Sequence, residues 1–361
     1  MLEVICSTGK YLKIIEFEYN EPQFFVNLDG GRSANHVQHT GIRQGCTLSP
    51  FLFLLVMQII MELVENEVNE KRLEDKFKMK SFNQLEIFSL LFADDTLIFA
   101  ENAQGLDILL KAIEKHSRQF GLILNKDKCC QVIKSNTDIL PSFEDGTEIT
   151  QDSSAVYLGT EVTDDTKSKA EVIARINKAS CTWHTMHRTW LSTKISIKDK
   201  VVIYNSLISS KLLYGLESLT LDYGLYNRLD AFLMKGWRKI LAWKSTFFDR
   251  SKTNKAIREE ICKHYKKDLK LHSTTVKERA VKLLGETIRR GEEHIAYKAV
   301  FNSDGMPNLP DKRRVGMPRL VWANETAKIA WRQHVSTMVD FNHNSKKNWS
   351  IIHKLAIDNK I

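Results

Sequence analysis

Up to about residue 160 the apolar residues come in short runs separated by turns, and beyond it they recur at helical spacing over long stretches. Residues 1–40 read as short strands and turns, with Phe24-Phe25-Val26 followed by the turn Leu28-Asp29-Gly30-Gly31. Residues 47–70 read as one helix. Ser49 is its expected N-cap, and Pro50 takes the first helical position, where a missing N–H costs nothing. Apolar residues almost surround this helix, as in an element packed on several sides. Residues 88–93 and 96–100 are two apolar runs interrupted only by Asp94-Asp95, which predicts a β-hairpin. The next helix is expected over 102–120, with Leu106, Leu109, Leu110, Ile113 and Phe120 as its stripe and Gly121 as its stop. Short strands at 122–124 and 131–133 and a turn-rich stretch over 141–146 follow. From residue 165 helices are predicted over 167–191, 197–213 and 223–241. The polar end beyond about 341 is expected to be loosely ordered. The switch in pattern marks a boundary near 160, and a softer one falls near 245–252. No internal repeat is visible.

The 361-residue chain is 43% hydrophobic and 27% charged, enough for at least one buried core and two or three subdomains. Its longest apolar stretch, residues 51–64, contains Gln58 and Glu62 and falls short of the ~20 residues that span a bilayer, so no membrane association is expected. No charged-then-apolar leader pattern opens the chain. Of six cysteines only Cys129 and Cys130 are close, which argues against a zinc site or a disulfide framework and for a reducing intracellular compartment. The net charge of +9 is uneven. Residues 251–361 hold 23 Lys and Arg against 12 Asp and Glu, whereas residues 1–250 hold 30 against 32. Such asymmetry points to a region that contacts nucleic acid, although a solvated basic surface gives the same count.

The hairpin tip carries the most unusual chemistry. A two-residue hairpin turn normally takes Asn-Gly or Asp-Gly, whose central residues accept φ > 0. Asp94-Asp95 meets that demand poorly and sets two like charges side by side, a conflict that a divalent cation relieves. Mg²⁺ binds oxygen ligands, through one or two carboxylates together with substrate phosphates. Buried flanking runs are expected to hold the pair rigidly. Taken alone, an ordinary acidic turn is the commoner reading.

Context changes that balance. Gly41-Ile42-Arg43-Gln44-Gly45-Cys46-Thr47-Leu48-Ser49-Pro50 lies upstream, Phe92-Ala93-Asp94-Asp95 follows, then Gly121-Leu122-Ile123-Leu124-Asn125-Lys126-Asp127-Lys128, then Val156-Tyr157-Leu158-Gly159. In order and spacing these four segments resemble the palm motifs of LINE-type (non-LTR retrotransposon) reverse transcriptases. The resemblance covers about residues 20–325. It implies an α+β fold in three parts: a palm of antiparallel strands packed on helices (1–160), an all-helical thumb (161–250) and a basic C-terminal helical region (251–361). It implies an RNA-directed DNA polymerase acting on an RNA template, a DNA primer or target and deoxynucleoside triphosphates, with Mg²⁺ or Mn²⁺. Asp94 is then the metal ligand and Asp95 its support. Gly41, Arg43, Gln44 and Gly45 line the template–nucleotide pocket. Lys128 neutralises the leaving pyrophosphate, and Tyr157, Leu158 and Gly159 position the primer.

The family's metal site also uses a carboxylate from an earlier strand. Before Gly41 the sole Asp is Asp29, only twelve residues upstream, where it fits a hairpin turn better. That carboxylate and the fingers region are therefore expected to be absent, and the chain alone to polymerise poorly. A catalytically inactive nucleic-acid-binding remnant is the competing reading, and a maturase-like splicing factor a weaker one. In the helical part Trp183, Trp190, Trp237 and Trp243 lie among Lys and Arg residues. Such residues can stack on bases, but most of these are expected in the core. Further on, the strip Lys312-Arg313-Arg314-Val315-Gly316-Met317-Pro318-Arg319 resembles the family's Arg-rich segment after the thumb. Its Lys312, Arg313, Arg314 and Arg319 suit a phosphate backbone, or equally a nuclear-localisation patch, so a nuclear location is expected.

Overall fold

The computed structural model describes residues 9–43, 45–73, 81–82, 85–132, 140–163, 168–308, 320–336 and 338–361. It falls into two units, one of residues 1–77, 91–96 and 108–124, the other of residues 78–90, 97–107 and 125–361.

Among the described residues the first element of this unit is a helix, α1 (Gly9–Tyr19), where strands and turns were expected. Leu12, Ile15 and Tyr19 already stand at helical spacing, and the β-forming side chains between them masked it. Four two-residue strands follow. β1 (Gln23–Phe24) pairs antiparallel with β4 (His36–Val37), and β2 (Asn27–Leu28) with β3 (Gly31–Arg32). Asp29 and Gly30 close the inner hairpin, Gly30 at φ 112°, so Asp29 is a turn residue as expected.

Helix α2 (Ser49–Leu73) begins at Ser49 itself. The Ser49 hydroxyl pairs with the Tyr19 hydroxyl at 2.9 Å. Ile60, Val64 and Val68 recur every fourth residue and are buried, whereas Phe51 and Leu54 are exposed. The helix is therefore covered on one side, not all round. In α3 (Ala103–Gln119) Leu109, Leu110 and Ile113 are buried and the expected stripe residue Phe120 is exposed. Glu67 of α2 joins the two helices, accepting from Lys71 (2.8 Å), Lys115 (2.9 Å) and His116 (2.9 Å).

Small sheets continue the chain. β5 (Ser81–Phe82) pairs with β6 (Leu85–Glu86), β7 (Ser89–Phe92) with β8 (Asp95–Ile98), β9 (Cys130–Gln131) with β10 (Thr150–Gln151), and β11 (Ser154–Tyr157) with β12 (Thr160–Thr163). The β9–β10 pair is parallel. Residues 122–124, expected as a strand, are irregular, and Ile123 is exposed. Among the described residues every sheet has two strands, so the α+β character holds but a continuous antiparallel layer is not formed. Strands of two to four residues offer few ladder hydrogen bonds and act as local staples.

In the second unit the expected helix over 167–191 is broken into α4 (Ser168–Thr185) and α5 (His187–Leu191). The one over 197–213 is α6 (Ile197–Ile203), a π-helical turn (Tyr204–Ser209) and α7 (Ser210–Leu213). Helix α8 (Tyr223–Ile240) matches its expected span, capped by Asp222 accepting from the Leu225 N–H at 2.8 Å. These elements share a core with Ile257 and Ile261 of α9 (Asn254–Tyr265) and Val276 of α10 (His272–Arg289). Trp190 and Trp237 are in that core, and Trp183 and Trp243 pack against it, in line with expectation.

A second core joins α10, α11 (Ile295–Val300), α12 (Trp322–His334) and α13 (Lys346–Ile357). The end of the chain, expected to be loosely ordered, is part of it. Trp349, Ile352 and Ala356 form a stripe at helical spacing with at most 1% exposure.

Candidate functional site

Asp94 and Asp95 sit at the tip of the β7–β8 hairpin. The two-residue turn is Ala93-Asp94 and Asp95 opens β8, one position earlier than the Asp94-Asp95 turn expected. Ala93 adopts φ 54°, and Asp94 is not among the positive-φ residues. A left-handed non-glycine residue costs on the order of 1 kcal/mol, so the backbone carries strain beside the carboxylates. Both are exposed, and so are Leu90, Leu91 and Phe92. The flanking runs are thus not buried as expected, because a two-stranded ribbon leaves its faces uncovered unless another layer packs on them.

Among the described residues no three His, Cys, Asp or Glu side chains are grouped to hold a metal ion. The donors present, adjacent carboxylates on an exposed tip, suit a hard divalent cation that also takes phosphate and water oxygens. Asp94 lies in the turn and Asp95 in the strand, so the two leave the backbone from different settings.

Gly41 and Gly45 take φ of 83° and 88°, left-handed values that explain glycine at both positions. Arg43 between them donates to the Glu18 carboxylate at 3.0 Å and to the Glu18 carbonyl, so its guanidinium is already engaged by α1. Cys46 lies just before α2, and hydrogen bonding to Ser49 and the Leu48 backbone holds its thiol below the usual range. Gln44, Lys312, Arg313, Arg314 and Arg319 lie outside the described residues. Lys128 ends an exposed 3₁₀ turn (Lys126–Lys128). Gly41, Arg43, Gly45, Asp94 and Asp95 belong to the first unit, and Lys128, Tyr157, Leu158 and Gly159 to the second.

Leu158 and Gly159 form the turn of the β11–β12 hairpin, and Tyr157 is the last residue of β11. Tyr157 pairs with Thr160, and Leu158 and Gly159 between them have φ of 48° and 75°. Two positive φ values are the mark of a type I′ turn, usually Asn-Gly, and leucine is an unusual residue there. The turn is held from three sides. Arg175 of α4 donates to the Gly159 carbonyl (2.9 Å) and to Thr160 Oγ1 (3.2 Å). The Tyr214 hydroxyl donates to the Leu158 carbonyl at 3.2 Å, and the Tyr157 hydroxyl to the Leu90 carbonyl of β7 at 3.4 Å. Arg175 is itself fixed by Glu171, which accepts from its Nε at 2.6 Å, both side chains being 7% exposed. Only the i, i+4 spacing of Glu171 and Arg175 could have signalled this pair in the sequence.

A cavity of about 630 Å³ lies between the 190–197 segment and the end of α8. Lys200, Lys235, Arg238 and Lys239 line it with Trp190 and Trp243, and no carboxylate does. Lys200 is buried and donates to the Trp190 carbonyl at 2.9 Å, and Arg238 bonds the carbonyls of Lys244 (3.1 Å) and Lys252 (2.7 Å).

Residues 9–162 match the family model described as reverse transcriptase (RNA-dependent DNA polymerase). The chain is 35% identical over 107 residues to the retrovirus-related Pol polyprotein from the type-2 retrotransposable element R2DM of Drosophila melanogaster, covering 30% of this chain and 9% of that protein. It is 26% identical over 220 residues to the RNA-directed DNA polymerase from the mobile element jockey of the same organism, covering 57% of this chain and 22% of that one. The chain thus spans less than a quarter of the length of either relative. Residues 9–162 are thus similar to reverse-transcriptase domains, and the two relatives that share this similarity are retrotransposon proteins.

Proposed function

We propose that this chain is the polymerase module of a retrotransposon protein, extending a DNA primer on an RNA template with deoxynucleoside triphosphates. The observation that carries this reading is the exposed Asp94-Asp95 tip on a two-stranded hairpin inside the matched segment. Residues 1–160 act as the palm, 161–250 as a thumb that holds the template–primer duplex, and 251–361 as a basic region on the nucleic-acid backbone, with a nuclear site of action. No helix among the described residues is long and apolar enough to cross a membrane.

Asp94 holds the divalent cation, Mg²⁺ or Mn²⁺, and Asp95 adds negative charge beside it. When bound, the cation supplies charge neutralisation to the reacting phosphates. Gly41 and Gly45 let the backbone approach the base pair closely, with Arg43 and Gln44 beside them. Lys128 offers a cation to the departing pyrophosphate, and Tyr157, Leu158 and Gly159 hold the primer strand. The test is primer extension on poly(rA)/oligo(dT) with Mg²⁺ or Mn²⁺, with Asp94→Asn as control. Weak extension, lost in the variant, is expected. Extension that persists in Asp94→Asn overturns the assignment of the metal ligand.

A second reading, a nucleic-acid-binding remnant without turnover, is favoured by the lack of a third carboxylate near the pair among the described residues. It predicts duplex binding that is equal for wild type and Asp94→Asn, with no extension by either.

A further inference from the structure

The structure points to a device that controls the β11–β12 turn from the helical region. We infer that Arg175, locked by Glu171 and assisted by Tyr214, is a positioning residue that holds the Leu158-Gly159 turn in its left-handed conformation and thereby sets where the primer terminus lies. This rests on the reading of Tyr157, Leu158 and Gly159 as the primer-holding hairpin.

A leucine at φ 48° does not stay there by its own preference, so neighbouring groups must over-determine the conformation. The two carbonyls of the turn, of Leu158 and Gly159, each accept a hydrogen bond from a different element. Glu171 adds a third restraint, with Oε2 accepting from the Glu161 N–H of β12 at 3.3 Å. One buried ion pair on α4 thus grips both the turn and the strand that leaves it. Arg175 also lies 5.2 Å from the centre of the Tyr214 ring, so the two side chains that grip the turn brace each other.

The far side of the hairpin completes the connection. Tyr157 reaches the carbonyl of Leu90, and Leu90 lies on β7, four residues before Asp94. The chain of contacts therefore runs from α4 through the turn to the Leu90 carbonyl on β7. Gly215 fits the same reading: it has φ 74°, and a side chain there would stand 3.3 Å from Thr160 Oγ1 and 3.7 Å from Arg175 Nη2. A shift of α4 on its neighbours changes the turn directly, and a lysine at this position, with its donors on a single nitrogen, cannot match the separation between Nε, which serves Glu171, and Nη2, which serves Gly159 and Thr160.

The test uses the full chain bound to a DNA primer on an RNA template. A dye at the distal duplex end reports overall affinity by anisotropy, and 2-aminopurine at the primer 3′ terminus reports the order of that nucleotide. Thermal unfolding is followed in parallel. Gly159→Ala perturbs the turn itself, because its Cβ meets only the Tyr214 ring at 3.7 Å and acts through backbone conformation. Arg175→Lys and Tyr214→Phe perturb only the clamp; Tyr214 is 53% exposed, so its variant keeps the fold even if Arg175→Lys does not. Loss of one neutral hydrogen bond is worth about fivefold in the fraction of ordered primer termini. That change is expected for Tyr214→Phe, with little change in distal affinity or unfolding temperature, and Leu158→Gly added to it should restore order. If Gly159→Ala alters the primer terminus but neither clamp variant does, the clamp inference is overturned and the hairpin's role stands. An unaltered terminus in Gly159→Ala overturns the primer-holding reading itself.

Discussion

His272 lies in the helical core with Nδ1 on the Leu229 carbonyl (3.2 Å) and Nε2 on Ser209 Oγ (3.0 Å). A carbonyl only accepts, so Nδ1 carries the proton and Nε2 accepts from serine. Burial pushes the ring's pKa down to about 4 from 6.5. The unfolded chain therefore takes up a proton below pH 6.5 while the folded protein resists until about 4. Stability falls as pH drops through that window, by about 3 kcal/mol from this residue. His272→Gln should flatten the fall when urea midpoints are compared at pH 6.5 and 4.5; an equal slope in both proteins refutes the assignment. Glu67 behaves as the opposite ionic type. Burial raises its carboxyl, but hydrogen bonds from Lys71, Lys115 and His116 outweigh that and hold it at about 2. Its stabilising charge is present above pH 4.5 and is lost as pH falls towards 2, so Glu67→Gln should remove that lower, separate step.

At the scale of elements, the short hairpins and the π-helical turn do the positioning. Tyr204 opens that turn fully buried, its ring 5.6 Å from Trp183, 6.4 Å from Trp190 and 6.4 Å from His272. Gly236 on α8 makes room for it, because a Cβ there would stand 2.5 Å from Tyr204 Cε2. Alanine in a helix normally gains about 1 kcal/mol over glycine. Here the ring cannot yield, and overpacking costs about 1–3 kcal/mol. Gly236→Ala is expected to lower the unfolding temperature; a rise would show that the core relaxes around the added carbon. The hairpins also mark where the pattern in the sequence was readable. Asp29-Gly30 and the β7–β8 ribbon were legible from turn residues and flanking apolar runs. Helix α1 was not, since Tyr, Ile and Phe suit strands as well as an exposed helix face.

For the whole molecule, charge is the property that reaches furthest. Lys235 and Lys239 line the α8 cavity, whereas Arg238 serves the fold through its carbonyl contacts. If that cavity follows a phosphate backbone, removing two contacts lowers the slope of log K against log salt by about 2 for a duplex. Lys235→Gln with Lys239→Gln tests this by salt titration of duplex binding, and an unchanged slope places the contact elsewhere. The sequence by itself determined the longer helices beyond residue 47, the β7–β8 hairpin, the family motifs and the pair Asp94-Asp95, because periodicity, turn residues and motif order are local properties of the chain. Only the tertiary structure decided that Leu90, Leu91 and Phe92 are exposed, that Arg43 is engaged by Glu18, and that the end of the chain is packed through Trp349 and Ile352. It alone brought Glu171, Arg175 and Tyr214 onto the Leu158-Gly159 turn. Burial and pairing depend on which distant segments meet, and no local spacing records that.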